Sequence, residues 1–383
     1  MTEKTNRPLS VETRVIHIDK LDREQKAGDP VIYPQVNSTV FRMAAEAEEG
    51  EMIYTRLENP NRQQLETVLA SLEGGEGCAA FASGMAACTA IVQALEPGDH
   101  LLIPEDLYHG VRKLMLGIME PWGLQVDVVD MTQPDKVAEA IRPETVMVWA
   151  ETPSNPLLQI VDLRALSGLC RKNDLLLVVD NTWPTPINQL PLELGADLVV
   201  HSSSKYMGGH SDLLGGAVIA REESGLFERV RDIQRSTGAV PSPQDCWLML
   251  RSLRTLPWRM RAHNEHAVRI ADFLEVHPAV DEVFFPGLKS HPGYDIARDQ
   301  MAAFGGMISF LVDGDRSATA RVVQGSRLIA PVTSLGGVES TWEHRVRTEG
   351  PDGRTPENLI RLSVGLEHPE DLERDLELAF SKR

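Results

Sequence analysis

The sequence predicts an α/β architecture: a large, mostly parallel sheet domain followed by a smaller C-terminal α+β domain. Three observations carry this expectation. Short apolar runs of strand length recur from about residue 60 onward, among them Leu101–Ile103, Leu175–Asp180 and Asp197–His201. Stretches with helical spacing separate them, and strands that alternate with helices over this length build parallel sheets covered on both faces. The alternation then stops near Pro243, where a long helical stretch takes over.

Residues 1–58 contain several Pro, Asn and Gln residues and few periodic apolar segments, and read as an N-terminal arm with short elements. Gln63–Leu72 has helical spacing and stops at Gly74-Gly75. Cys78–Phe81 reads as a short strand, and Ser83 begins an apolar helix running towards Leu95. Leu101–Ile103, Gln125–Val129 and Val146–Ala150 are strand-like, with a helix near Leu163–Lys172 before the compact runs Leu175–Asp180, Asp197–His201 and Gly216–Ala220. Residues 59–243 thus form the expected α/β domain. The stretch Gln244–Val276, interrupted near Pro257, opens the C-terminal α+β domain, residues 244–383, and is the natural hinge. Strands are expected there at Val280–Phe285, Gly306–Val312 and Leu359–Val364, with helices at Ala318–Gln324 and Glu370–Ser381.

Bulk properties narrow the function classes. With 383 residues and 42% hydrophobic content the chain can bury a large core. No apolar run approaches the roughly 18–20 residues that span a bilayer, and the polar start Met1-Thr2-Glu3-Lys4 lacks the apolar core of a secretory signal. The expectation is a cytoplasmic protein. Cys78, Cys88, Cys170 and Cys246 are scattered without metal-ligand spacing, so no metal site and no disulfide framework are expected. A net charge of −18 opposes nucleic acid and anionic membrane as partners, because phosphate backbones need clustered Lys and Arg.

Three segments carry chemistry. In Val199-Val200-His201-Ser202-Ser203-Ser204-Lys205-Tyr206-Met207-Gly208-Gly209 a lysine follows a strand and a run of hydroxyls. A desolvated lysine there is an amine nucleophile and the hydroxyls can hold a phosphate, although a surface turn would read alike. Asp180 ends an apolar strand, where ligands bind in parallel sheets, and can pair with a ring nitrogen; a turn or cap is the plainer use. Ser83-Gly84-Met85 opens a helix whose N–H groups form an anion site, and an N-cap alone would also explain it. Together they supply an imine-forming amine, an electron-sink partner and a phosphate cup.

At Lys205, Ser-Ser-Ser-Lys-Tyr-x-Gly-Gly-His-Ser-Asp resembles the cofactor-lysine motif of the Cys/Met-metabolism family of pyridoxal-phosphate enzymes, which includes cystathionine γ-lyase, γ-synthase and β-lyase and methionine γ-lyase. Tyr54–Pro60, Ser83–Ala87, Glu151–Pro156, Asp180–Thr182, Ser334–Gly337 and Arg361–Glu367 are similar to further family segments, in the same order along nearly the whole chain. The resemblance implies fold-type I architecture with pyridoxal 5'-phosphate as cofactor. By the same token Lys205 holds the cofactor and moves the α-proton, Asp180 pairs with the ring nitrogen, and Tyr108 stacks on the ring and aids proton transfer. Ser83, Gly84, Met85, Ser202 and Ser204 would form the phosphate site, with Tyr54 and Arg56 entering from a neighbouring subunit of a homotetramer. Arg361 would clamp the substrate α-carboxylate, assisted by Asn155, Thr333 and Ser334.

The sequence departs from the family in three places. Thr333 stands where γ-lyases and γ-synthases often have a glutamate able to engage a distal ammonium. Gly110 replaces the cysteine that methionine γ-lyases place two residues after the tyrosine. Glu339–Arg347 differs from the usual segment, so that Trp342, Arg345 and Arg347 belong either to an altered pocket or to a re-routed surface loop, with a turn at residues 349–353. His109, Trp183, His201 and His210 are given no catalytic role. The expected function is pyridoxal-phosphate-dependent elimination or replacement on a small sulfur-containing or homoserine-derived amino acid, closest to cystathionine γ-lyase or γ-synthase. The alternatives are a cystathionine β-lyase-like or methionine γ-lyase-like C–S lyase, a specialised γ-replacement, or a non-catalytic binding protein that keeps the fold.

Overall fold

The computed structural model describes residues 9–21, 26–46, 52–349 and 355–383. Seven strands form one sheet: β1 (Gly77–Phe81), β2 (His100–Pro104), β3 (Gln125–Val129), β4 (Thr145–Glu151), β5 (Leu176–Asp180), β6 (Leu198–His201) and β7 (Gly216–Ala220). Their order is β1-β7-β6-β5-β4-β2-β3. The run from β3 to β6 is parallel, and β7 is antiparallel to both β6 and β1. The central strands are apolar because both faces are covered: Leu177 and Val179 face one core cluster, Val178 and Val200 the other. Fully burying a Val or Leu side chain contributes about 1.5–3 kcal/mol. The polar residues Glu151, Asp180 and His201 are displaced to the strand C-termini.

Local signals set the helices that flank these ends. Asn59 caps Pro60–Glu73 through its side chain, and Gly74 ends that helix at φ 75°. Ser83 caps Gly84–Gln93 by accepting from the Ala86 N–H at 3.1 Å. The predicted helix from residue 244 is two helices, Pro243–Leu253 and Leu256–Glu275. The break falls at Arg254-Thr255, ahead of Pro257, because proline is accommodated in a first turn, where its missing N–H has no partner to lose. Several elements in described segments escaped the sequence reading, among them the helices Val11–Leu21, Gly225–Thr237 and Tyr294–Gln300, and the strand at Thr341–His344.

The second sheet is antiparallel, with β8 (Val280–Phe284), β9 (Met307–Val312), β10 (Thr341–His344) and β11 (Leu359–Ser363) in the order β10-β11-β9-β8. Ile308, Phe310, Trp342, Ile360 and Leu362 share a core with the helices Leu256–Glu275 and Pro369–Phe380. The alternate positions Ser309, Glu343, Arg361 and Ser363 are also buried. Ser309 Oγ donates to the Pro156 carbonyl at 2.7 Å, which ties this sheet to the loop after β4. All four cysteines are buried free thiols. Among the described residues no helix is long and apolar enough to cross a membrane, and no His, Cys, Asp and Glu cluster could hold a metal.

Candidate active site

A cavity of about 390 Å³ lies at the C-terminal ends of β4, β5 and β6. Asp180, Ser202, Ser204 and Lys205 line it from β5 and the loop after β6, and Ser83, Gly84 and Met85 from the start of the helix Gly84–Gln93. Tyr108, Asn155, Thr333, Ser334 and Arg361 complete the predicted set on its wall. Tyr54 and Arg56 do not line it. Tyr54 is 40% exposed, the Arg56 guanidinium stacks 5.8 Å from its ring centroid, and Arg56 donates to the Arg235 carbonyl.

Lys205 Nζ donates to Ser334 Oγ at 2.7 Å. Burial, assisted by the nearby Arg361 and opposed by Glu343, lowers its ammonium to about 8, so much more of the amine is neutral near physiological pH than for a free lysine. Ser334 holds this position at φ 82°, a left-handed conformation that costs a serine about 1–2 kcal/mol. Gly336, at φ 77°, lies so close to the lysine loop that a Cβ would stand 2.6 Å from the Tyr206 nitrogen.

Burial raises the carboxyl of Asp180 above its usual range, against the Thr182 hydrogen bonds and the charge of His201. Its Oδ1 accepts from the Thr182 N–H at 2.9 Å, and Thr182 Oγ1 accepts from the Ser202 N–H at 2.9 Å. A cationic ring nitrogen seated against Asp180 would restore the ionised form. His201 Nε2 and Asn181 Nδ2 meet Glu73 Oε1 at 2.5 and 2.9 Å, a buried network next to Asp180 in the chain. The helix start and the Ser202 backbone approach so closely that a Cβ at Gly84 would stand 2.7 Å from Ser202 Cβ. The N–H groups at the helix start and the serine hydroxyls are thus brought together in one cup with the chemistry of a phosphate site. Ser204 Oγ is also bonded to Gly215, donating to its carbonyl at 3.1 Å and accepting from its N–H at 3.0 Å.

On the opposite wall Arg361 is 4% exposed. It donates to Asn155 Oδ1 at 2.8 Å, to Glu343 Oε2 at 2.8 Å and, at 3.4 Å, towards the Ser334 carbonyl. Two acidic residues of the site were not foreseen. Glu343 lies on β10 directly opposite Arg361 on β11, and only its alternation with Trp342 in a four-residue strand could have revealed it. Glu151 lies beside Asp180 in the β4–β5 register and accepts from the Tyr108 N–H at 3.0 Å. Burial first, and Asp180 second, raise its carboxyl well above the ordinary range.

The departures from the family pattern separate cleanly. Trp342 is a core residue whose Nε1 donates to the Val323 carbonyl at 3.1 Å, Arg345 lines the cavity, and Arg347 is exposed. A Cβ at Gly110 would stand 2.6 Å from the Tyr108 ring and 3.1 Å from Met85 Sδ, so this glycine makes room for the tyrosine. The predicted turn at residues 349–353 lies almost entirely outside the described residues.

The family model described as Cys/Met metabolism PLP-dependent enzyme matches residues 12–381. A cystathionine gamma-synthase of Mycobacterium bovis is 42% identical, with 96% of each chain covered. A cystathionine beta-lyase of Coxiella burnetii is 39% identical over 99% of this chain and 100% of its own. Among solved structures, the cystathionine gamma synthase of Xanthomonas oryzae pv. oryzae superposes with a TM-score of 0.93 at 38% identity, covering 98% of this chain and 99% of its own. The cystathionine gamma-lyase of Lactobacillus plantarum gives 0.92 at 36% identity, with the same coverage.

Proposed function

The chain belongs to the Cys/Met-metabolism family of pyridoxal-phosphate-dependent enzymes, and from there we propose that it eliminates or replaces a γ-substituent of a sulfur-containing or homoserine-derived amino acid, in the manner of cystathionine γ-lyase or γ-synthase. One observation carries the reading: Lys205, Asp180 and Arg361 converge on a single cavity. When bound, pyridoxal phosphate supplies the electron sink for charge that develops at the substrate α-carbon.

The residues divide the work. Asp180 would keep a proton on the ring nitrogen, and the cup of Ser83, Gly84, Met85, Ser202 and Ser204 would hold the phosphate. Arg361, oriented by Asn155, grips the α-carboxylate in the bidentate geometry of a guanidinium. Lys205 Nζ, positioned by Ser334 and already close to neutral, takes the α-proton and returns it further along the chain. Tyr108, 41% exposed at the cavity wall, serves the leaving group with its hydroxyl. Tyr54 and Arg56 act on the phosphate of a neighbouring subunit in a homotetramer, a role supported by their exposure away from the cavity of their own chain. We assign the arm to residues 1–58, the cofactor domain to 59–243 and the small domain to 244–383, with the protein acting in the cytoplasm.

β-Elimination on the same class of substrate is the second reading, favoured by the beta-lyase relative. The test is a panel of cystathionine, homocysteine, methionine, cysteine and O-acylated homoserines, each with and without a thiol, with 2-oxo acids and new amino acids identified. Products of γ-chemistry support the proposal, products of β-chemistry alone support the second reading, and inertness of a yellow holoenzyme to the whole panel overturns both. Lys205→Ala should abolish turnover and the lysine-bound cofactor band. Thr333→Glu should improve the use of cystathionine if that position governs the distal ammonium; no gain would remove it as the determinant.

A further inference from the structure

We propose that Glu151, a side chain with no part in the roles assigned above, is a positioning residue that works as an un-ionised acid: it holds Tyr108 at the cavity wall and leaves the negative charge of their shared strand ends to Asp180. This rests on the reading above and adds a residue to it.

Glu151 is the last residue of β4 and Asp180 the last of β5, and the two are partners in the parallel register. Such partners project to the same face of a sheet whose strands lie about 4.8 Å apart, so the two carboxyls share one region of the wall. Both line the cavity, and Glu151 is only 5% exposed. Two buried carboxyls placed in this way do not both ionise, and one proton stays with the pair. Hydrogen bonding decides which of them keeps it. Asp180 Oδ1 accepts from the Thr182 N–H at 2.9 Å, and the charge of His201 also favours its ionised form. Glu151 Oε2 accepts from the Tyr108 N–H at 3.0 Å, which a neutral carboxyl does through its carbonyl oxygen. Burial raises the Glu151 carboxyl well above the ordinary range; Asp180 and Asp106 add to that, while the Tyr108 N–H and Arg345 oppose it. The Cys88 thiol, in the same lining, is also raised by burial and stays neutral. Tyr108 gains most from the contact. Its carbonyl begins the helix His109–Leu114, its side chain makes no cap, and Glu151 fixes its amide. A neutral anchor does this without a second carboxylate competing with Asp180 for a cationic ring nitrogen.

The competing account is an ionised Glu151 balanced by the charge of Arg345. Infrared difference spectra of the holoenzyme at neutral pH, parent minus Glu151→Gln, separate the two. An un-ionised Glu151 contributes the C=O stretch of a protonated carboxyl, and the variant loses it; a carboxylate signature in its place overturns the proposal. In cofactor-free protein the pH at which that band disappears should move downward in Asp180→Asn, because the repelling charge is gone. An unmoved midpoint overturns the pairing with Asp180. Turnover tests the positioning. Glu151→Ala should lower kcat about tenfold to a hundredfold, the scale of a misplaced reacting group, with a smaller change in KM. Glu151→Gln keeps the acceptor oxygen and never carries charge, so it should recover most of that loss. Equal losses in the two variants, or none in Glu151→Ala, overturn the proposal. If Glu151→Ala does not fold, the infrared comparison still decides, since it uses only the parent and the isosteric variant. It also needs no turnover, so inertness of the parent to every substrate would overturn the reading above while leaving the protonation of Glu151 measured.

Discussion

Lys205 owes its chemistry to its surroundings rather than to its identity. Burial disfavours the ammonium and the Arg361 charge adds to that penalty, so the neutral amine gains on both counts. In cofactor-free protein, acylation of Lys205 followed by mass spectrometry should rise with a midpoint at about pH 8. Arg361→Leu removes the repelling charge, so the midpoint should move upward; a downward move would contradict the assignment. The side chains that announced themselves in the sequence are those whose neighbours are distinctive, Lys205 after a run of serines and Asp180 at the end of an apolar strand. Glu151 and Glu343 did not, because a carboxylate at the end of one strand and at an alternate position of another reads as solvent-facing. The partners that satisfy them come from other segments of the chain, the Tyr108 N–H for Glu151 and the Arg361 guanidinium for Glu343.

The helix Leu256–Glu275 grips the segment that follows the lysine. Arg259 donates to the carbonyls of Tyr206 and Met207, and the His263 ring meets that of Tyr206 edge-on at 5.0 Å. His263 Nδ1 donates to the Val364 carbonyl at 2.7 Å, and burial lowers its pKa from 6.5 to about 4. The folded state thus keeps this ring neutral while the unfolded chain takes up a proton below pH 6.5. Its contribution is intact above pH 6.5 and is lost progressively as pH falls to about 4. The loss amounts to up to about 3 kcal/mol. Urea midpoints at pH 7 and pH 4.5 should therefore diverge less in His263→Gln than in the parent; an equal divergence would exclude this ring as a source. Strands of the large sheet were legible because burial on both faces makes them continuous apolar runs. β10 was hidden: its four residues, Thr-Trp-Glu-His, alternate a core tryptophan with an ionic partner of the cavity.

Two separate sheets were foreseeable from the change in texture near Pro243, whereas how chains assemble depends on surfaces that periodicity does not encode. If Tyr54 and Arg56 complete a neighbour's site, two inactive variants should complement each other. Coexpression of Lys205→Ala with Arg56→Ala chains should yield hybrids with one intact site and measurable activity, while either variant alone stays far below it. No recovery in verified hybrids would place both residues outside the catalytic unit. The reversed direction of β7 has its own consequence for how the molecule breathes. Because β7 returns beside β6, with Ala217 opposite His201, the loop bearing Lys205 is closed at its base by a ladder inside the sheet. Such a loop gains little by opening alone, since its ends separate only when a central ladder is lost. The Gly215 amide, bonded to Ser204 Oγ, should then exchange its hydrogen for deuterium as slowly as the amides of β5, making isotope uptake at the catalytic loop a gauge of global unfolding.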